Sequence, residues 1–170
     1  MEKELIIDRE TIQGRVRELA GQISSDYAGM EPVLVGILNG VVFFFSDLVM
    51  ELTIPSKIDF IRAASYGSAI SSSGSVRFTK DVEISIQGKP VILVEDIVDT
   101  GLTITKVIDR LKEKEPESVK ICALINKTER REIEVPITYS GFQVNKGFLI
   151  GYGLDYDEQF RYLPGIYVLG

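Results

Sequence analysis

The sequence predicts an α/β fold, a mostly parallel central sheet flanked by helices. Apolar runs of strand length alternate along the chain with stretches whose apolar residues recur at helical spacing. One run, residues 91–94, is apolar throughout and follows the turn-forming Gly88-Lys89-Pro90, as expected of a strand buried on both faces of a parallel sheet. A helical pattern follows it closely, with Ile104, Val107, Ile108 and Leu111 on one face.

The remaining elements follow in chain order. Asp8 caps a helix in which Ile12, Val16, Leu19 and Ile23 share a face and which ends near Gly29. Residues 33–38 form a first buried strand, which Asn39-Gly40 breaks. Residues 41–52 form an apolar helix stopped by Pro55, with Phe43, Phe44 and Phe45 in the core. Residues 57–66 form a second strand, with Ile58, Phe60 and Arg62 on alternating faces. The small, polar segment 66–75 is expected to be a flexible loop, followed by a strand at 76–82 and then the strand at 91–94. Further strands are expected at 119–126, 142–152 and 166–169, with no internal repeat.

Composition narrows the function. A chain of 170 residues, 45% hydrophobic and 26% charged, fits a single domain over 1–170 with a sizeable core. Met1-Glu2-Lys3-Glu4 has no apolar signal core, and the uncharged stretch 32–46 is too short to span a bilayer, so a cytoplasmic protein is expected. Histidine is absent, which excludes Ser-His-Asp and Cys-His nucleophile arrangements and leaves acid–base work to carboxylates, Lys or Tyr. The lone Cys122 lies in an apolar run as a buried, inert thiol. A net charge of −6 and a pI near 4.8 argue against nucleic-acid or membrane partners, whereas an anionic substrate carrying magnesium stays compatible.

The chemistry concentrates in residues 91–103, where the apolar run leads into Glu95, Asp96 and Asp99 and then a hydroxyl-rich turn. In open parallel sheets ligands collect beyond the carboxyl ends of the strands. There the free amides of the helix start, with the Thr100 and Thr103 hydroxyls and the opening at Gly101, suit a phosphate monoester. Glu95 and Asp96 would repel a bare phosphate, so they suit sugar hydroxyls, a divalent cation, or both. Asp99 is left as a candidate base. Helix capping accounts for Asp99 or Thr100 singly but not for the set.

The form Glu-Asp-x-x-Asp-Thr-Gly-x-Thr resembles the 5-phosphoribosyl-1-pyrophosphate (PRPP) motif of the type I phosphoribosyltransferases, in particular their hypoxanthine-guanine branch. The resemblance runs over nearly the whole chain and implies a small hood built from the N- and C-terminal segments. It implies that Glu95, Asp96, Thr100, Gly101, Leu102 and Thr103 bind PRPP and that Asp99 is the catalytic carboxylate. Residues 36–40, with Asn39 and Gly40, match the pyrophosphate loop, although many members carry Lys where Asn39 stands, so only the backbone role carries over. Ser65, Tyr66 and Gly67 resemble the start of a flexible loop that closes over the site.

By the same resemblance Lys127 donates to the 6-oxo group of a purine, Phe148 stacks on the base, and Leu149 offers backbone groups to its edge. Asp155 lies beside the base and binds a second Mg²⁺, the first being held through Glu95 and Asp96, and Arg161 reaches pyrophosphate. The pair Gly151-x-Gly153 lacks the third glycine and the helix of a dinucleotide fingerprint. The implied activity is transfer of the phosphoribosyl group from PRPP to a 6-oxopurine base, giving the purine nucleoside monophosphate and pyrophosphate, in a homodimer or homotetramer. A PRPP-sensing regulator or RNA-binding relative on the same scaffold is the alternative. A basic surface and a changed third acid would mark it, and this chain has neither. A PRPP synthetase-like kinase would need nucleotide-binding elements and a longer chain.

Overall fold

A computed structural model describes residues 1–65 and 76–170. The expected loop at 66–75, including Tyr66 and Gly67, lies outside the described residues. Strands β1 (Lys3–Ile7), β2 (Val33–Ile37), β3 (Lys57–Ser65), β4 (Val76–Lys80), β5 (Pro90–Val98), β6 (Ser118–Lys127), β7 (Tyr139–Val144), β8 (Phe148–Ile150) and β9 (Ile166–Leu169) alternate in part with helices α1 (Arg9–Asp26), α2 (Val42–Glu51) and α3 (Leu102–Lys112). Six strands form the main sheet in the order β4-β3-β2-β5-β6-β7, parallel except for β4 at the edge. A separate antiparallel sheet, β1-β9-β8, joins the two ends of the chain. This is the expected hood.

Period-two alternation sorts the central strands between two cores. Leu34, Ile92, Val94, Cys122 and Leu124 face α1 and α2, whereas Val33, Val35, Val91, Leu93, Ile121 and Ala123 face α3. Ile104, Val107 and Leu111 of α3 are all buried, each worth about 1.5–3 kcal/mol relative to exposure. Asp8 caps α1 as expected, its carboxylate accepting from Thr11 N at 2.8 Å. Burial raises the Cys122 thiol to about 12, which makes it inert at neutral pH. No helix among the described residues is long and apolar enough to cross a membrane.

Several expectations are corrected. The expected strand at 142–152 is two strands in different sheets, because Gly147 turns the chain at φ 105° out of β7 and into the hood. β1 has no counterpart among the expected strands. Its residues are mostly exposed, so the burial pattern that reveals a strand is absent. Phe43 is 42% exposed while Phe44 and Phe45 are buried, since α2 rests on the sheet by one face only. Ile58, Phe60 and Arg62, two residues apart, share one face of β3 rather than alternating.

Candidate active site

β2 and β5 are neighbours, yet β2 is followed by α2 on one face of the sheet and β5 by α3 on the other. That reversal of winding opens a crevice at the strand ends. The ladder between them stops at Gly36↔Val94, while β5 continues beside β6 as far as Val98↔Asn126. Glu95 and Asp96 therefore lie inside β5, not beyond it as the apolar run suggested, and they border the gap left by β2. A cavity of about 300 Å³ fills this crevice. Asn39, Gly40, Glu95, Asp96, Asp99, Thr100, Gly101, Thr103, Asp155 and Arg161 all line it.

The acidic pair is held under electrostatic tension. Glu95 is 8% exposed and Oε1 accepts from Asp96 N at 3.0 Å. Burial first, and then the neighbouring Asp96 charge, push the Glu95 carboxyl well above the ordinary range. Asp96 Oδ1 accepts from Ile97 N at 2.8 Å, and Oδ2 sits where a Cβ on residue 40 would lie, so Gly40 is required there. Two such carboxylates become stable as a charged pair when a cation or sugar hydroxyls meet them. Mg²⁺ typically takes one or two carboxylates and fills its remaining positions with water and substrate phosphate. Glu95 and Asp96 fit that pattern, and no cluster of three acidic or sulfur ligands among the described residues offers a protein-only cage.

One side of the cavity is the start of α3. Gly101 adopts φ 87° and offers no side-chain cap, and Gly101, Thr103 and Ile104 line the cavity at this helix start, where N–H groups without intrahelical partners suit an anion. Thr100 Oγ1 accepts from Leu102 N at 3.2 Å and Thr105 Oγ1 donates to Gly101 O at 2.6 Å. A Cβ at residue 101 would strike Ile133 O. Leu102 opens the helix and does not line the cavity. On the opposite wall, Asn39 is exposed in the turn after β2, where the Leu38–Asn39 peptide is cis and Val42 N donates to Asn39 O at 3.2 Å.

Asp99 stands between these walls. Oδ2 is 3.3 Å from Arg130 Nη1, whereas Oδ1 is buried and has no hydrogen-bond partner among the described residues. Lys127 is the last residue of β6. It is 6% exposed, 3.9 Å from Asp99 Oδ1 and 3.4 Å from Glu129 Oε2. Lys127, Phe148 and Leu149 lie outside the cavity lining. Phe148 is 48% exposed, with the Tyr156 ring edge-on at 5.6 Å. Leu149 belongs to β8, an edge strand, which leaves half of that strand's backbone groups unpaired by β9.

Arg161 lies in a turn. Its Nη1 donates to Gly153 O at 2.6 Å, and its Nη2 is 3.5 Å from Asp155 Oδ1 and 3.1 Å from Glu158 Oε1. Gly153 packs against Gly40 so closely that a Cβ would overlap Gly40 O. Arg161 and Asp155 are thus braced against the turn after β2. Tyr152, Asp157, Glu158 and Phe160 all have positive φ, the kind of local strain that concentrates at ligand sites.

A model of the phosphoribosyl transferase domain matches residues 6–157. The chain belongs to this family. It is 43% identical to the hypoxanthine phosphoribosyltransferase of Salmonella typhimurium over 163 residues, spanning 95% of this chain and 92% of that protein. It is 42% identical to the hypoxanthine-guanine phosphoribosyltransferase of Aquifex aeolicus over 166 residues, spanning 97% and 93%. A crystal structure of a hypoxanthine-guanine phosphoribosyltransferase from Bacillus anthracis superposes with a TM-score of 0.94 at 40% identity, covering 98% of both chains.

In this phosphoribosyl transferase the residues that sequence inspection missed are those that brace the site. Glu129 pairs with Lys127 and accepts from Gly147 N at 3.2 Å, tying the lysine to the joint before Phe148. Arg131 donates to Asp99 O, Val98 O, Asn126 Oδ1 and Lys127 O. In sequence both sit in the charge run Glu129-Arg130-Arg131-Glu132, which looks like a solvated loop.

Proposed function

We propose that the chain is a purine-salvage transferase that moves the 5-phosphoribosyl group of PRPP to N9 of hypoxanthine or guanine, giving inosine or guanosine monophosphate and pyrophosphate. The observation that carries this is the orphaned, buried Asp99 Oδ1, set between an anion-binding helix start and a buried lysine. A buried acceptor without a donor is costly and calls for a ligand that brings one. A purine N–H is such a donor.

The amides of Gly101, Leu102 and Thr103, with the Thr100 and Thr103 hydroxyls, hold the 5-phosphate. Glu95 and Asp96 hold the ribose hydroxyls and the developing positive charge at C1′ as its bond to the pyrophosphate oxygen breaks. Asp155 and the backbone of the Asn39-Gly40 turn border the pyrophosphate side, with Arg161 as its cation. When bound with PRPP, Mg²⁺ supplies countercharge to the pyrophosphate, held through Glu95 and Asp96, with Asp155 contributing at a second site. Lys127, a donor only, pairs with a 6-oxo group and not with a 6-amino group. Phe148 stacks on the base and Leu149 borders its edge. As N9 bonds to C1′, Asp99 takes the N7 proton, and in reverse it returns it.

The family supports PRPP and a purine base as substrates, and we place the enzyme in the cytoplasm as a homodimer or homotetramer of single-domain chains. Pyrophosphate release from PRPP and Mg²⁺ should be measured with hypoxanthine, guanine, xanthine, adenine and uracil in turn. Turnover with hypoxanthine or guanine and little with adenine is expected. PRPP binding without turnover on any base would instead indicate a regulator.

A further inference from the structure

Asp99 directly follows β5 and Lys127 ends β6, so both stand where a strand gives way to irregular backbone. Such positions are loose unless something outside the ladder holds them. One side chain reaches all of them. Arg131 Nε donates to Asp99 O at 2.8 Å, while Nη2 lies 3.1 Å from Val98 O, 2.6 Å from Asn126 Oδ1 and 3.0 Å from Lys127 O. Its two following residues continue the attachment, since Glu132 N and Ile133 N donate to Thr100 O at 2.9 and 3.1 Å. The guanidinium therefore spans the ends of β5 and β6 with a rigid planar fork, a geometry that lysine cannot reproduce.

We propose that Arg131 is a positioning residue for the reaction: by clamping the main chain at Val98, Asp99 and Lys127 it sets the distance between the base-accepting carboxylate and the purine-selecting ammonium. This rests on the function proposed above. Arg131 touches neither substrate; it acts through Asp99 and Lys127. The acidic pair is held by its own local bonds, Glu95 Oε1 to Asp96 N and Asp96 Oδ1 to Ile97 N, and Thr100 O is held by the amides of Glu132 and Ile133 rather than by the guanidinium, so loss of the Arg131 side chain removes no direct bond from the PRPP-facing residues. Misplacing reacting groups by about 1 Å costs on the order of 10²-fold in rate.

The test compares wild type with Arg131→Ala and Arg131→Lys. Turnover of PRPP and hypoxanthine by the wild type is measured first, and its absence refutes the proposed function and leaves the clamp without a reaction to serve. With an active wild type, Arg131→Ala should lose about 10- to 100-fold in kcat with nearly unchanged PRPP affinity. Added guanidinium ion should restore part of the loss, whereas ammonium should not. Should Arg131→Ala fail to fold, Arg131→Lys keeps the charge and must still show the fall in kcat. Wild-type kcat in either folded variant, or a loss in Arg131→Ala that guanidinium leaves untouched and that falls equally on PRPP affinity, overturns the proposal.

Discussion

Replacing Asp99 with Asn separates catalysis from architecture, because the structure lets each contribution be weighed. Oδ1 makes no hydrogen bond among the described residues, so converting the carboxylate to an amide sacrifices none there. Oδ2 faces Arg130, whose side chain is 52% exposed, and an ion pair so open to water is worth about 0–1 kcal/mol. Arg131 holds residue 99 through its main-chain oxygen, which the substitution leaves alone. The substitution also removes the negative charge 3.9 Å from the buried Lys127 ammonium, which keeps Glu129 at 3.4 Å, so stability should fall by about 1–3 kcal/mol, at about 2–4 °C in Tm per kcal/mol for a chain of this size. Loss of general-base help should lower turnover by about 10²- to 10⁴-fold, equivalent to about 2.7–5.4 kcal/mol in the barrier. Steady-state pyrophosphate release, calorimetric PRPP titration and thermal unfolding together give the three quantities. PRPP affinity should hold in Asp99→Asn and weaken in Glu95→Gln, since only the latter removes a charge facing the ribose and its metal. Near-normal turnover, or turnover and PRPP binding lost together, would refute the division of roles.

Three further outcomes follow from other residues. Lys127→Ala should cost about 1–3 kcal/mol of transition-state binding for hypoxanthine by leaving the 6-oxygen unpaired, and an unchanged kcat/KM would exclude the role. Gly101→Ala places an L-residue at φ 87° against Ile133 O, so it should cost at least about 1–2 kcal/mol of stability and weaken PRPP binding; unaltered melting and binding would contradict it. Asp59 is raised by burial, but bonds from the N–H groups of Ile84, Glu83 and Phe60 and from Lys80 outweigh this and hold it below its ordinary value. The stability it gives is therefore present above the ordinary carboxylate range and drains away as pH falls through the lower folded value. Urea unfolding of Asp59→Asn across the acid limb should show a shallower decline than wild type, and parallel curves would remove Asp59 from the account.

The strand and helix that frame the cavity could be read from the sequence because burial on both faces leaves an uninterrupted apolar run, and because an acid-rich turn in front of an amphipathic helix has few other uses. Asp99, Thr100 and Gly101 were visible for that reason. Lys127 was placed by its position at a strand end, but its burial was not visible, since that depends on Glu129 and Asp99 meeting it from separate segments. β1 escaped because Lys3, Glu4 and Leu5 are exposed and gain their order from β9, more than 150 residues later in the chain. Arg131 escaped for the opposite reason. Its local sequence is a charge run, and only the convergence of two strand ends turns one of those charges inward.

The hood has a consequence for how the molecule is made. Apart from β2 with β5, which have α2, β3 and β4 between them, strands β2 to β7 pair with the next strand in sequence, so the floor of the cavity can assemble as the chain emerges. β9 lies between β1 and β8, and among the described residues β1 has no other strand partner. Lys3 pairs with Leu169, and bringing such distant segments together carries the largest loop-closure entropy in the fold. A ribosome-bound chain can therefore display its acidic pair and helix start well before it owns the sheet that carries Phe148 and Leu149. Emergence of β9 becomes the step that joins the hood to a floor already formed, and a chain cut just short of β9 would have that floor and no roof.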